Sequence, residues 1–202
     1  MKKFYLNKTG QIIKLTKKIS HGGQGEIWKT SQNGWIAKIY YSVDSILAEK
    51  LQVMVDYPPE DPMKTKSHVS IAWPKDLLKD SNGKFLGFIM PEIANSCTLI
   101  NIYNPTRREK IVPGFNWLYL HIAALNVATI IEAVHSKNYV IGDIKTENLL
   151  VNSKAIVSIV DTDSFQIRHP KTKTIYRCPV GSEEYTLFAS HLGTEMVGVR
   201  TI

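Results

Sequence analysis

Between Val140 and Leu150 the chain reads VIGDIKTENLL, which sets Asp143, Lys145 and Asn148 inside an apolar frame. The spacing D-x-K-x-x-N supplies what phosphoryl transfer needs. The carboxylate receives the acceptor hydroxyl, the cation attends the moving phosphate and the amide oxygen can ligate magnesium. A second carboxylate, Asp161 in VSIVDTDSF, directly follows an apolar run of β type. With Asn148 it offers the hard oxygen ligands that suit Mg2+, water and phosphate completing the shell. Asp163, two residues on, reads more readily as a turn residue bonded to its own loop.

Upstream, SHGGQGEIWKT (Ser20 to Thr30) places Gly22, Gly23 and Gly25 between two predicted strands. Glycine lets a turn approach phosphates closely and present backbone N–H groups. Alone, such a motif is as readily an ordinary hairpin turn. Thirteen residues after Gly25 comes Lys38 in WIAKIY. A cation on that strand can neutralise α- and β-phosphate oxygens if a carboxylate holds it, and Glu49, on the helix that follows, is the natural partner. An isolated lysine or glutamate is usually solvated; here the order of the residues carries the signal.

The elements that must position these residues follow from periodicity. Gln11 to Thr16 alternates, Glu26 to Thr30 resumes an extended pattern, and Asn33-Gly34 marks a hairpin before Trp35 to Tyr40. Ile46, Leu47, Leu51 and Met54 recur at helical spacing after an Asp44 N-cap, until Pro58-Pro59 stops the helix. Strands are predicted again at Val69 to Trp73 and Phe85 to Met90, with Ser81-Asn82-Gly83 as a turn, giving roughly five strands. Ala94 to Thr106 lacks regularity. Trp117 to His135 predicts a long helix whose one face carries Leu118, Ile122, Leu125, Ile131 and Val134. Asn148 to Val151 and Ile156 to Val160 predict a short hairpin with chemistry on its flanking loops.

With 202 residues, 44% of them hydrophobic, the chain can build one substantial core or two small lobes. A formal charge of +7 suits phosphates, nucleic acid or an anionic surface and selects none of them. Nucleic acid is not an expected partner, because Trp28, Trp35 and Trp73 are better explained by packing. Cys97 and Cys178 fall in no disulfide or zinc pattern. No window approaches the roughly eighteen apolar residues that span a bilayer. A reduced, cytoplasmic chain with no membrane partner is therefore expected.

Taken in order, SHGGQG, Ala37-Lys38, Glu49, MPEI at Met90 to Ile93, AVHSKNYVIGDIKTENLLV and IVDTD resemble the Gly-rich loop, strand lysine, helix glutamate, hinge, catalytic loop and metal-binding aspartate of protein kinases. More closely, the chain is similar to a bacterial branch of eukaryotic-like protein kinases in which GD replaces HRD and DTD replaces DFG. The resemblance runs from about Gln11 to Thr186. It implies an α+β, protein-kinase-like two-lobe fold: residues 1–93 an antiparallel sheet with one helix, residues 94–202 an abbreviated helical lobe.

The same resemblance implies roles. Ser20, Gly22, Gly23 and Gly25 would cover the ATP phosphates, Lys38 would bind them and Glu49 would orient Lys38. Adenine would lie on the hinge formed by Met90, Glu92 and Ile93, under Ala37, with Met90 as gatekeeper. Asp143 would position the acceptor, Lys145 would steady the γ-phosphate, and Asn148 with Asp161 would hold Mg2+.

Several positions depart from the pattern. Ser20 stands for the first loop glycine, and Thr162-Asp163 replace the Phe-Gly of DFG. Ile141-Gly142 precede the aspartate, so no arginine there can read a phosphorylated activation segment. After EEYT the chain reads LFASHLGTEMVGVRTI where further helices would follow. A truncated kinase, or a minimal nucleotide-binding module, is expected to leave apolar surface for a partner. The function expected is ATP- and Mg2+-dependent phosphorylation of protein Ser/Thr hydroxyls. The alternatives are a pseudokinase that holds nucleotide without turnover, and a small-molecule phosphotransferase, against which Lys145 argues.

Overall fold

The computed structural model describes residues 3–66 and 68–178. They form two compact units: residues up to Pro58 together with Trp73–Glu92, and Pro59–Ala72 together with the described residues from Ile93 onward. Residues 59–72, expected in the first lobe, thus cluster with the second.

The first unit is a seven-stranded antiparallel sheet around one helix. Its strands are β1 (Phe4–Leu6), β2 (Ile12–Ile13), β3 (Leu15–His21), β4 (Gly25–Thr30), β5 (Trp35–Tyr40), β6 (Asp76–Lys79) and β7 (Phe85–Pro91), in spatial order β2-β1-β6-β7-β5-β4-β3. The expected five strands become seven because Phe4–Leu6, too brief to show a period, pairs with Ile12–Ile13 and β6, and because the strand expected at Gln11 to Thr16 divides into β2 and the start of β3. One face closes over Phe4, Leu6, Ile13, Ala37, Leu78 and Ile89, each buried. Burying such a side chain contributes about 1.5–3 kcal/mol. Gly34, at φ 77°, supplies the left-handed residue that the Gln32–Trp35 turn requires.

A strand at Val69 to Trp73 is a misreading. Only Ile71 forms a bridge, to Ile159; the Ala72 amide donates to Ile159 O and Ser70 O accepts from the Ile159 amide, so these backbone groups serve the second unit. Pro74 then interrupts pairing, and the strand falls at Asp76–Lys79 instead. The Asp80–Gly83 turn closes as expected, with Gly83 N donating to Asp80 O.

Helix α1 (Ser45–Asp56) starts at the expected cap, Asp44 Oδ1 accepting from the Leu47 amide at 2.7 Å. It buries Lys50, Leu51, Val53, Met54 and Val55, while Ile46 is exposed. Trp73 pins its last turn, donating Nε1–H to Met54 O at 2.7 Å.

In the second unit, Ala94 to Thr106, expected to be irregular, contains β8 (Ser96–Thr98), α2 (Leu99–Tyr103) and the start of α3 (Pro105–Ile111). Asn104 caps α3, its Oδ1 accepting from the Arg107 amide, with Pro105 in the first turn where a missing N–H costs nothing. These elements are too short for periodicity to reveal. Helix α4 (Trp117–His135) matches its expected span, capped by Asn116. Its inward face differs. Ala123, Asn126, Ile130 and Val134 are buried, whereas Leu118 and Leu125 are 61% and 68% exposed.

The rotation is set by Asn126, whose Nδ2 donates to Ala155 O and so turns a polar residue inward. Contrary to expectation, α4 is by length and composition apolar enough to cross a membrane; its buried side is tied by Asn126 into the second unit. Four further strands follow. The hairpin β9 (Leu149–Asn152) and β10 (Val157–Ile159) pairs Val151 with Val157, and β8 joins at β9. Strands β11 (Ile167–Arg168) and β12 (Ile175–Tyr176) pair beyond it.

Candidate active site

The second unit assembles Asp143, Lys145 and Asn148. Asp143 is buried and Lys145 half-buried. Lys145 Nζ lies 2.5 Å from Asp143 Oδ2, and Asn148 Nδ2 donates to Asp143 O at 2.9 Å and approaches Oδ2 at 3.4 Å. A buried carboxylate needs such charge-assisted partners. A 3-10 turn at Thr146–Asn148 brings the asparagine back over the loop, the Asn148 amide donating to Lys145 O.

Asp161 reaches the same place through the backbone. Val160 N donates to Asn148 O at 2.9 Å, so the end of β10 is stitched to the turn that carries Asn148. Asp161 itself adopts φ 57°, ψ 37°, left-handed backbone that costs an L-residue about 1–2 kcal/mol. Its carbonyl secures the turn that follows, accepting from the Ser164 amide at 3.1 Å and from Ser164 Oγ at 2.8 Å. Thr162 Oγ1 donates to Ala72 O, and Asp163 is buried in that turn.

This donor set suits Mg2+. With Asn148 Nδ2 committed to Asp143, its Oδ1 is the end it can offer a cation, and Asp161 follows the strand end that is bonded to the Asn148 carbonyl. Among the described residues no group of three or more His, Cys, Asp or Glu side chains could hold a metal. A two-ligand oxygen set, completed by water and phosphate, is the way Mg2+ is commonly held.

In the first unit, Ser20 is the last residue but one of β3, Gly22 and Gly23 form the tip, and Gly25 opens β4, with Gly22 N donating to Gly25 O. A Cβ at Gly22 or Gly23 would meet nothing within 4 Å, whereas at Gly25 it would collide with the Ile39 carbonyl oxygen. Only Gly25 is therefore demanded by the fold. Gly22→Ala and Gly23→Ala are expected to change stability by less than about 0.5 kcal/mol, read by thermal melting; a large loss at either would show that the loop takes another conformation.

Ala37 lies opposite Trp28 and Ile89, and Lys38 opposite Ile27 and Phe88. Strand alternation puts Ala37 in the apolar cluster and Lys38 on the other face, buried, with Nζ 5.6 Å from the Tyr40 ring centroid. Met90 is buried opposite Ile36. Glu92 N donates to Gly34 O, and its carboxylate pairs with Lys29 Nζ at 3.0 Å; Ile93 belongs to the second unit.

Glu49 is not brought to Lys38. It is exposed on α1, no ion pair joins the two among the described residues, and the neighbouring Lys50 faces inward. One step along a helix turns a side chain by about 100°, so burying Lys50, Leu51 and Met54 leaves Glu49 outward. Gly87, Lys50 and the Gly142–Cys178 contact escape a reading of the chain, since each depends on what a distant strand or loop places beside it.

At the base of this loop, Glu26 accepts from Lys18 Nζ at 2.6 Å and Trp28 Nε1 at 2.9 Å, which hold its carboxyl below the usual carboxylate range. The sign follows: a depressed acid stabilises the fold above its unfolded value near 4.3 and that gain is lost as pH falls through the folded value. Glu26 is solvated, so the effect is small and screened by salt. The melting-point gap between the parent and Glu26→Gln is expected to close as the solution is acidified; a gap that widens contradicts the pairing.

No family model matches the chain. Among curated proteins it is 29% identical over 181 residues to protein kinase YegI of Escherichia coli K12, covering 88% of this chain and 27% of that protein. It is 27% identical over 155 residues to the putative serine/threonine-protein kinase R436 of Acanthamoeba polyphaga mimivirus, covering 71% of this chain and 54% of the viral protein. The chain thus spans about a quarter of the bacterial relative and half of the viral one.

Among solved structures, the ROP18 kinase domain in complex with AMP-PNP and sucrose superposes with TM-score 0.58 at 11% identity, covering 92% of this chain and 59% of that one. ROP2 from Toxoplasma gondii, described as having a protein-kinase fold and no enzymatic activity, superposes with TM-score 0.57 at 11% identity, covering 96% and 61%. The fold of this chain is that of a protein kinase, and its sequence is similar to those of protein kinases.

Proposed function

We propose that the chain carries out ATP- and Mg2+-dependent phosphoryl transfer to protein Ser or Thr hydroxyls. The observation that carries this reading is the contact set of Asp143 with Lys145 and Asn148, joined through Val160 to Asp161. When bound, Mg2+ would neutralise phosphate oxygens, held by Asn148 and Asp161. Asp143 would accept the acceptor hydroxyl proton, and Lys145, close to it, would set the charge beside the transferred group. Lys38 would meet the α- and β-phosphates from its buried strand position, and Met90, Glu92 and Ile93 would line the adenine.

The test is single-turnover transfer from labelled ATP by the parent chain, Asp143→Asn and Lys38→Ala; equal transfer by all three would end the proposal. One observation favours a second reading, a pseudokinase: Glu49 is exposed and does not orient Lys38. Magnesium-dependent nucleotide binding, seen as a thermal shift without turnover, would select it. We also propose a reducing, cytoplasmic setting, in keeping with Cys97 and Cys178 both being free thiols. A partner over the exposed Tyr103, Trp117, Leu118 and Leu125 belongs to the same proposal. The segment that follows EEYT, read as truncated, lies outside the described residues.

A further inference from the structure

The residue before Asp143 has no side chain, and the structure shows what occupies the space. A Cβ on Gly142 would fall on Cys178 Sγ, 2.5 Å from Cys178 Cβ and 2.7 Å from Ser164 O. Cβ atoms essentially never approach heavy atoms this closely. Gly142, Ser164 and Cys178 are all buried. The two neighbours belong to one stretch of chain, which leaves Asp161, forms the Thr162–Ser164 turn and the β11–β12 hairpin, and returns at Cys178.

That stretch is fastened to the loop before Asp143 in a second place. Val140 N donates to Gln166 O at 2.9 Å, and Gln166 N donates to Val140 O at 2.8 Å. The isolated bridge and the Cys178 contact sit at Val140 and Gly142, so both clamp the backbone just before Asp143. One clamp is made of hydrogen bonds and the other of packing. Neither needs a charge on the segment.

We infer that Cys178 is a positioning residue for Asp143: seated on the bare Cα of Gly142, it holds the segment following Asp161 against the loop that carries the acid. The inference rests on the reading of Asp143 as the group that receives the acceptor proton. It also gives the glycine a reason. Any side chain at 142 must displace the sulfur or the Ser164 carbonyl, and either displacement transmits to Asp143 one residue away. The segment is thereby set by packing density, where an arginine at this position would need a phosphorylated partner.

The experiment uses the full chain, Gly142→Ala, Cys178→Ala, and the pair Gly142→Ala with Cys178→Gly. Two readouts are taken: hydrogen exchange at the Val140 and Gln166 amides, and single-turnover transfer from ATP with Mg2+ across nucleotide concentrations. Gly142→Ala is expected to speed exchange at both amides roughly tenfold. It should slow maximal transfer roughly tenfold with half-saturating nucleotide unchanged.

The double variant removes both Cys178 atoms that meet the new methyl and should recover part of each loss, incompletely because Ser164 O stays close. A Gly142→Ala chain that exchanges like the parent, or a double variant no better than the single one, overturns the inference. Should Gly142→Ala fail to fold, Cys178→Ala decides: it leaves only a small void, and unchanged exchange at Val140 and Gln166 would equally overturn it. If the parent transfers no phosphate, the kinase reading fails, and the exchange arm still decides whether Cys178 holds the segment.

Discussion

Asp143→Asn is expected to slow phosphoryl transfer by about 10²–10⁴-fold, the usual contribution of a positioned acid–base group, while leaving the chain folded. The variant keeps the shape of the side chain and an oxygen that can still accept from Lys145 and Asn148, which both contact the carboxylate. It removes the charge and the basicity. Lys145 is one-third exposed, so its ammonium retains water when its partner becomes neutral. Removing one half of a deeply buried ion pair would cost several kcal/mol; here solvent limits the cost. Nucleotide affinity should be nearly unchanged, because in the proposed reaction Asp143 acts on the acceptor. A variant that transfers phosphate at the parent rate would show that Asp143 is a structural carboxylate, held by its neighbours without chemical purpose.

Gly87→Ala is expected to cost the fold about 3–5 kcal/mol, at the high end for a point substitution, and to lower the melting temperature by roughly 10 °C in a chain of this size. Gly87 lies in β7 opposite Ile39. A Cβ there would fall on Lys38 O, 3.0 Å from Lys38 C and 3.1 Å from Ile39 Cα. All three obstacles are backbone atoms, so no rotamer change can relieve them. The strands must part, and β5 is the strand that fixes Lys38. Loss of stability should therefore come with weaker nucleotide binding, measured by titration under conditions where the variant remains folded. A Gly87→Ala chain that melts with the parent would refute the β5–β7 register.

These two residues divide what could be read from the chain. Asp143, Lys145 and Asn148 were legible because the contacts that join them span five residues or fewer, and such local spacing survives any error about the rest of the fold. The cap at Asp44, the hairpin at Gly34 and the full length of α4 were legible for the same reason. Gly87 was not. Its necessity comes from a carbonyl almost fifty positions earlier in the chain, and nothing beside it in sequence announces that approach.

The sequence by itself determined the order of chemical groups along the chain, the local turns that cluster three of them, and the alternation that separates Ala37 from Lys38. Tertiary structure alone decided the rest: that β1 and β2 extend the sheet, that residues 69–72 serve the second unit, that Asn126 turns inward on α4 while Leu118 and Leu125 stay exposed, and that Lys50 rather than Glu49 is buried on α1. The physical reason is common to all of them. Periodicity records that a residue is apolar or polar, whereas burial is settled by which distant backbone and side chains arrive, and a single step of rotation along a helix exchanges a glutamate for a lysine.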